Sequence, residues 1–189
     1  MLQLYRHIKD REDSVKMRVA QIYNESVVDG TGWRMAIFFQ GCNHNCKGCH
    51  NPESHDFNGG EEISKEQLIV KIQEQIDENP LLGGVTLSGG DPFFQAEDMI
   101  DICKFIHSKD LSIWAYTGFT YEQLINKSDK RVTDSMVEML HNIDVLVDGR
   151  FVLEERSLEE RFKGSLNQRI IDVQASLKNN RVIELQLEA

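Results

Sequence analysis

Gly41-Cys42-Asn43-His44-Asn45-Cys46-Lys47-Gly48-Cys49-His50-Asn51-Pro52 places three of the chain's four cysteines within eight residues, spaced C-x3-C-x2-C. Such a loop can put three thiolates on one centre and stops one ligand short of a four-cysteine site, which leaves a coordination position open for chemistry. It follows Met35-Ala36-Ile37-Phe38-Phe39-Gln40, a continuous apolar run closed by Gly41. A run of that kind is expected to be a strand buried on both faces. The cysteines then sit just past the C-terminal end of a core strand.

Outward from that loop, the chain alternates strand and helix signals. Arg18 to Tyr23 reads as a strand or extended lead-in, and Asp29-Gly30-Thr31-Gly32 as a turn. Ser64 with Gln67 three residues on is a capping-box start, and Leu68, Ile69, Ile72 and Ile76 mark one face of a helix that ends near Asn79-Pro80. Gly84 to Ser88 is the next strand, Ala96 to Ser108 a helix, and Ser112 to Tyr116 a strand stopped by Thr117-Gly118. Short helices are expected near Tyr121–Asn126 and Asp134–His141, and a strand at Ile143–Val147 ended by Asp148-Gly149. The charged stretch Glu154 to Lys163 follows, its acidic part expected as a solvated helical face. Arg169–Val173 comes next, and Arg181–Leu187 alternates like an edge strand.

Strands alternating with helices imply βαβ units and a parallel sheet. A full eight-unit barrel takes ~250 residues. The four or five units legible in these 189 residues fit an open, partial parallel β/α barrel. No repeat or composition break divides the chain, so residues 1–189 are read as one domain with a polar extension over 1–18. The cysteine loop, Ser88–Pro92, Thr117-Gly118 and Asp148–Phe151 each follow a strand, and in parallel α/β folds that edge is where sites are built.

The net charge of −10 argues against a general nucleic-acid binder, although Arg34 and Lys47 are candidates for a local basic patch flanking the cysteines. No apolar run approaches the roughly 18–20 residues of a membrane span. The polar, charged start from Met1 to Lys16 is not a secretory signal, and a cytoplasmic location is expected. In a reducing compartment, clustered thiols point to metal rather than disulfides. Three thiolates can bind three irons of a [4Fe–4S] cluster and leave the fourth iron open. The alternative is structural zinc, with His44 or His50 completing a Cys3His set, although zinc ligands more often come as pairs from separated knuckles. Cys103, alone on an apolar helical face, reads as a small buried hydrophobe.

At these residues the chain resembles the radical S-adenosylmethionine enzymes. Val28-Asp29-Gly30-Thr31-Gly32 is similar to the lead-in of the branch that activates glycyl-radical enzymes, with Thr31 where proline is common. Within that branch the chain is most similar to activators of anaerobic (class III) ribonucleotide reductase. The supporting stretches are Cys46–Asn51, Leu87–Pro92, Trp114–Gly118, Val145–Phe151 and Gly164–Gln168, and the resemblance spans Val27 to Val173. Many superfamily members carry an aromatic residue just before the third cysteine; Gly48 stands there in this chain, as the reductase activators tolerate.

The resemblance implies a barrel of the radical S-adenosylmethionine type with a [4Fe–4S] cluster on Cys42, Cys46 and Cys49. It implies S-adenosylmethionine on the open iron, held by Ser88, Gly89, Gly90 and Asp91, with Tyr116, Gly118 and Asp148 as candidate walls for ribose and adenine and Asn167 at the same rim. Asp91 has a second reading as a turn or N-cap residue. The implied chemistry is reductive cleavage to a 5′-deoxyadenosyl radical that takes hydrogen from a glycine of the reductase. A low-potential donor such as flavodoxin or ferredoxin would supply the electron. Activation of pyruvate formate-lyase is the nearer alternative, and a non-catalytic zinc-binding adaptor the one from another class.

Overall fold

The structure, a computed structural model, describes residues 16–187. The polar character read over 1–15 lies outside them, while residues 16–18 already belong to the first strand. That strand, β1 (Lys16–Ser26), pairs antiparallel with β2 (Trp33–Phe39), the apolar run that leads to the cysteines. β3 (Glu61–Ser64) pairs antiparallel with the other side of β1, and α1 (Lys65–Glu78) returns the chain to β4 (Leu82–Gly89). α2 (Ala96–His107) leads to β5 (Ser112–Tyr116), and α3 (Tyr121–Ile125) with α4 (Asp134–His141) leads to β6 (Val145–Asp148). β7 (Arg169–Asp172) and α5 (Val173–Asn179) complete the order.

The strands form one mixed sheet, β3-β1-β2-β4-β5-β6-β7. β2, β4, β5 and β6 run parallel, as the alternation of strand and helix implies; β1 and β7 flank them antiparallel, and β3 pairs antiparallel with the outer side of β1. Sequence alternation decides which face each side chain takes. Met35, Ile37, Phe39, Val85, Leu87, Ile113 and Leu146 face the helices, where Leu68, Ile72, Met99, Ile102, Met139 and Leu140 complete the main core. Trp114, Val145, Val147 and Ile170 form a smaller core, covered by Phe162, Leu185 and Leu187. Both faces of the parallel strands are therefore buried, which is why β2 reads as unbroken apolar sequence.

Local signals set the helix ends. Ser64 Oγ accepts the Gln67 N–H at 3.2 Å while Gln67 Oε1 accepts the Ser64 N–H at 2.9 Å, the complete capping box. Such a cap contributes about 1 kcal/mol. Thr120 and Gln123 repeat the device at α3.

Four features differ from the sequence reading. The 154–163 segment is not a helix. A single 3-10 turn at Leu153–Glu155 gives way to the isolated Arg156–Ser165 bridge and bends, and Phe162, at φ 61°, sets its ring edge-on to Trp114 at 5.3 Å. The 181–187 segment does run along the sheet edge, but only through the Ile171–Glu184 bridge and hydrogen bonds at Ile183 and Leu185. β3 and α5 are additional to the expected elements.

The fourth difference concerns Arg34, which does not flank the cysteines. It enters at the far end of β2, 1% exposed, with Nε donating to Thr86 Oγ1 at 2.7 Å and Nη2 to the Val85 and Ser112 carbonyls at 2.8 and 2.9 Å. Burial pulls its pKa down to about 10, so it stays charged at neutral pH, satisfied by neutral acceptors and the face of Trp114.

Candidate active site

The loops that follow β2, β4, β5 and β6 are joined by backbone hydrogen bonds. Gly90 N donates to Phe39 O at 2.7 Å and Asp91 N to Gly41 O at 3.0 Å, which ties the β4 loop to the base of the cysteine loop. Thr117 N donates to Val147 O at 3.0 Å and Gly149 N to Phe119 O at 2.9 Å, which ties the β5 loop to β6 and its loop. The four loops predicted to converge do so. Gly89 has φ +94°, and a Cβ there would lie 2.4 Å from Phe39 N; a Cβ on Gly90 would lie 2.6 Å from Gly41 O. Gly89 thus permits close backbone contact between the ends of β4 and β2, and Gly90 between the two loops that follow them.

Cys42, Cys46, Cys49 and Cys103 are all free thiols. Cys42 is buried, and Cys46 and Cys49 are half-buried. Burial pushes the Cys42 thiol up to about 12; the His44 backbone N–H bonded to its sulfur pulls the other way, and the charges of Asp91, Cys46 and Cys49 push it up further. Burial likewise raises Cys49, opposed by the Asn51 N–H, which reaches its sulfur at 3.4 Å.

Asp91 and Asp148, each 1% exposed, have their carboxylates engaged inside the protein. Asp91 Oδ1 accepts the Phe93 N–H at 3.0 Å, the N-cap role read as its second possibility. Its Oδ2 accepts from Thr117 Oγ1 at 2.8 Å and Gly118 N at 3.0 Å and meets His44 Nε2 at 2.9 Å. Asp148 accepts the Tyr121 N–H at 2.8 Å and, from Arg169, Nε at 3.0 Å and Nη2 at 2.5 Å. Ser88 is buried, whereas Gly89, Gly90, Tyr116 and Gly118 are partly open. Tyr116 lies on the Trp114 face of the sheet, where burial raises its hydroxyl well above the usual range. Asn167 Nδ2 donates to Arg150 O at 2.9 Å, which places it at the β6 rim.

Arg169 also reaches Glu122, at 3.0 and 2.7 Å, and these hydrogen bonds hold the Glu122 carboxyl down at about 2 against an ordinary 4.5. A depressed carboxylate contributes stability that is fully present above about 4.5 and is lost as pH falls through about 2. Arg169→Met is expected to return the Glu122 midpoint toward 4.5, followed by NMR titration of the side-chain carboxyl. An unchanged midpoint contradicts this origin of the shift.

The glycine before the third cysteine has a physical cause. Gly48 has φ +74°, and a Cβ there would lie 2.9 Å from Leu153 Cδ1. Leu153 belongs to the loop after β6, which wraps the cysteine loop a second time where Phe151 stacks on His50 at 4.9 Å. Gly48→Phe is expected to destabilise the chain by about 1–3 kcal/mol through overpacking. Adding Leu153→Ala should recover part of that loss in urea denaturation; strictly additive effects would show that the two positions do not compete for space.

Sequence reasoning gave His44 a role only as a ligand of the alternative zinc site, and gave Arg131 none. His44 is enclosed between Phe119 at 4.6 Å and Phe94 at 5.7 Å, and Arg131 Nη1 donates to Asn43 Oδ1 at 2.9 Å. Arg131 lies 88 residues from Asn43, so no local pattern could have linked them. Arg150 donates to the His44 carbonyl. Arg131 and Arg150 reach this loop from elsewhere in the chain and Arg34 does not, while Lys47 lies exposed within it.

Among the described residues, no three His, Cys, Asp or Glu side chains converge where one metal ion could bind them together. A cubane cluster makes a different demand, since each thiolate meets a different iron and the sulfurs stand apart around it. Three free thiols in one loop, two of them already taking backbone N–H bonds, fit that demand. The buried, unpartnered His44 Nδ1 is a further polar atom left for a bound group to satisfy.

Residues 28–171, which contain all four loops, match the family described as a 4Fe-4S single cluster domain. The anaerobic ribonucleoside-triphosphate reductase-activating protein of Haemophilus influenzae is 34% identical over 159 residues, covering 80% of this chain and 96% of that protein. The protein of the same description from Escherichia coli is 33% identical over 159 residues, with the same coverage. The pyruvate formate-lyase-activating enzyme of Clostridium pasteurianum is 35% identical over 125 residues, covering 62% of this chain and 51% of that enzyme. QueE from Escherichia coli superposes with a TM-score of 0.46 at 15% identity over 70% of this chain and 71% of that one, too slight a likeness to argue from. The chain belongs to the 4Fe-4S single-cluster family and, within it, to the anaerobic ribonucleoside-triphosphate reductase-activating proteins.

Proposed function

We propose that this chain activates an anaerobic ribonucleotide reductase by reductive cleavage of S-adenosylmethionine at a [4Fe–4S] cluster held by Cys42, Cys46 and Cys49. One observation carries the reading: the chain spans 96% of the reductase-activating relatives, with the cysteine loop inside the span matched by the single-cluster family. The pyruvate formate-lyase activator, by contrast, is spanned over only 51% of its length. The seven-stranded sheet is read as an open part of a β/α barrel, and residues 1–189 as one domain. A cluster held by Cys42, Cys46 and Cys49 would supply the one-electron reduction that cleaves S-adenosylmethionine, and so the hydrogen abstraction from a glycine of the reductase.

The chain's own part is placement and exclusion of water. Cys42, Cys46 and Cys49 present the thiolates, and the N–H groups of His44 and Asn51 support two of the sulfurs. Ser88, Gly89 and Gly90 offer backbone to the amino-acid end of S-adenosylmethionine, with Tyr116 and Gly118 beside the nucleoside. Asp91 and Asp148 act on the same site by shaping the loops that carry those groups, because their oxygens are held at Gly118, Thr117, Tyr121 and Arg169. Phe94 and Phe119 close the protein side of the cysteine loop against water.

The electron donor is read as a low-potential flavodoxin or ferredoxin, and the location as cytoplasmic. Among the described residues no helix is long and apolar enough to cross a membrane. Anaerobic reconstitution with iron and sulfide, followed by EPR, tests the cluster. Reductant-dependent release of 5′-deoxyadenosine, with and without the reductase, tests the reaction. A colourless zinc-loaded protein that leaves S-adenosylmethionine intact overturns the reading in favour of an adaptor, and a glycyl radical raised only on pyruvate formate-lyase overturns the choice of partner.

A further inference from the structure

The residues between the first two cysteines are held by three other loops. Asn43 takes the Arg131 guanidinium, the His44 carbonyl takes Arg150, and the His44 side chain turns inward to Asp91. His44 is 1% exposed, with Nε2 2.9 Å from Asp91 Oδ2. That same oxygen accepts from Thr117 Oγ1 and Gly118 N at 2.8 and 3.0 Å. A single carboxylate oxygen thus ties the cysteine loop, the glycine loop after β4 and the loop after β5. The fit leaves no slack, since a Cβ on Gly118 would lie 2.5 Å from His44 Cδ2.

Two observations separate this from ordinary core packing. A buried polar group normally has partners for its hydrogen-bonding atoms, yet His44 Nδ1 has none. An apolar ring would sit between Phe94 and Phe119 without that cost, so the imidazole is explained by its link to Asp91. The backbone N–H of the same residue bonds the Cys42 sulfur. His44 therefore touches a cysteine of the loop with its main chain and the two glycine-bearing loops, through Asp91, with its side chain.

We infer that His44 is a positioning residue: through Asp91 it fixes the cysteine loop against the Gly90 and Gly118 loops, and so sets how S-adenosylmethionine seats beside the cluster. The inference rests on the proposed function. Partners one shell beyond a metal's ligands are worth about 10–100-fold in affinity or activity, and the link from His44 to Asp91 is of that kind.

The test compares the reconstituted wild-type chain with His44→Phe, which keeps a ring and loses the donor, and His44→Gln, which keeps an N–H for Asp91. Iron and sulfide content are measured first, then the dissociation constant of S-adenosylmethionine from the change it causes in the EPR spectrum of the reduced cluster. His44→Phe is expected to load its cluster and bind S-adenosylmethionine about 10–100-fold more weakly, with His44→Gln recovering most of the loss. Thr117→Val, which removes another donor from the same Asp91 oxygen, should weaken binding in the same way at normal iron content. Wild-type affinity in a cluster-loaded His44→Phe protein overturns the inference. If that variant loses its cluster, Thr117→Val decides, and wild-type affinity or cluster loss there also overturns it. A wild-type chain that takes no cluster or ignores S-adenosylmethionine refutes the function itself, an outcome distinct from these.

Discussion

Cys42→Ala, Cys46→Ala and Cys49→Ala are each expected to abolish cluster assembly and S-adenosylmethionine cleavage, while Cys103→Ala leaves both intact. The asymmetry follows from where the thiols lie. The first three share one loop, where Cys42 and Cys49 already receive backbone N–H groups at sulfur. Cluster ligation is by thiolate, and one missing thiolate leaves a second iron without a protein ligand. Cys103 is fully buried on α2 among Met99, Ile102 and Ile106, and burial pushes its thiol up to about 12, so it stays protonated and apolar. Iron content, the EPR spectrum of the reduced protein and 5′-deoxyadenosine release check all four variants. A Cys46→Ala protein with full cleavage activity would remove the basis for the cluster assignment, and a Cys103→Ala protein without iron would mean that the ligand set was misread.

Elements whose cause is local were legible in the sequence. The capping box at Ser64 and Gln67, the apolar run of β2 and the apolar face of α2 depend on neighbours a few residues away, and each forms where expected. β3 was not legible, because Glu61-Glu62-Ile63-Ser64 carries one apolar residue and is a strand only through its pairing with β1 and the Arg18–Glu62 contact at 2.9 Å. Arg34 was misplaced for the same kind of reason. Its acceptors at Thr86 and Ser112 lie 52 and 78 residues away, and nothing beside it announces a buried charge. In the site, the convergence of the cysteine loop with the glycine loops was legible from the order of strands and turns. The engagement of Asp91 was not, since its donors at His44 and Thr117 come from loops 47 and 26 residues distant.

The paired glycines after β4 show how the chemistry of a residue type can be legible before its reason is. Backbone exposed to a ligand was one reading, and the structure adds contact with the cysteine loop itself. Gly89→Ala is expected to destabilise the metal-free chain by about 2–5 kcal/mol, combining a residue forced to positive φ with overpacking that no side-chain rotation relieves. The atoms a Cβ would meet are Phe39 N at 2.4 Å and Phe38 C at 2.6 Å, both main chain of β2, the strand that leads into the cysteine loop. Gly32→Ala is the control, because Gly32 has a similar φ of +76° and nothing within 4 Å of the added carbon. It should show the conformational part alone, about 1–2 kcal/mol. Urea denaturation of the two variants separates strain from contact. A Gly89→Ala loss no larger than that of Gly32→Ala would mean that β2 and β4 can part at this end without cost, and that the base of the cysteine loop is not held by the backbone of its neighbour.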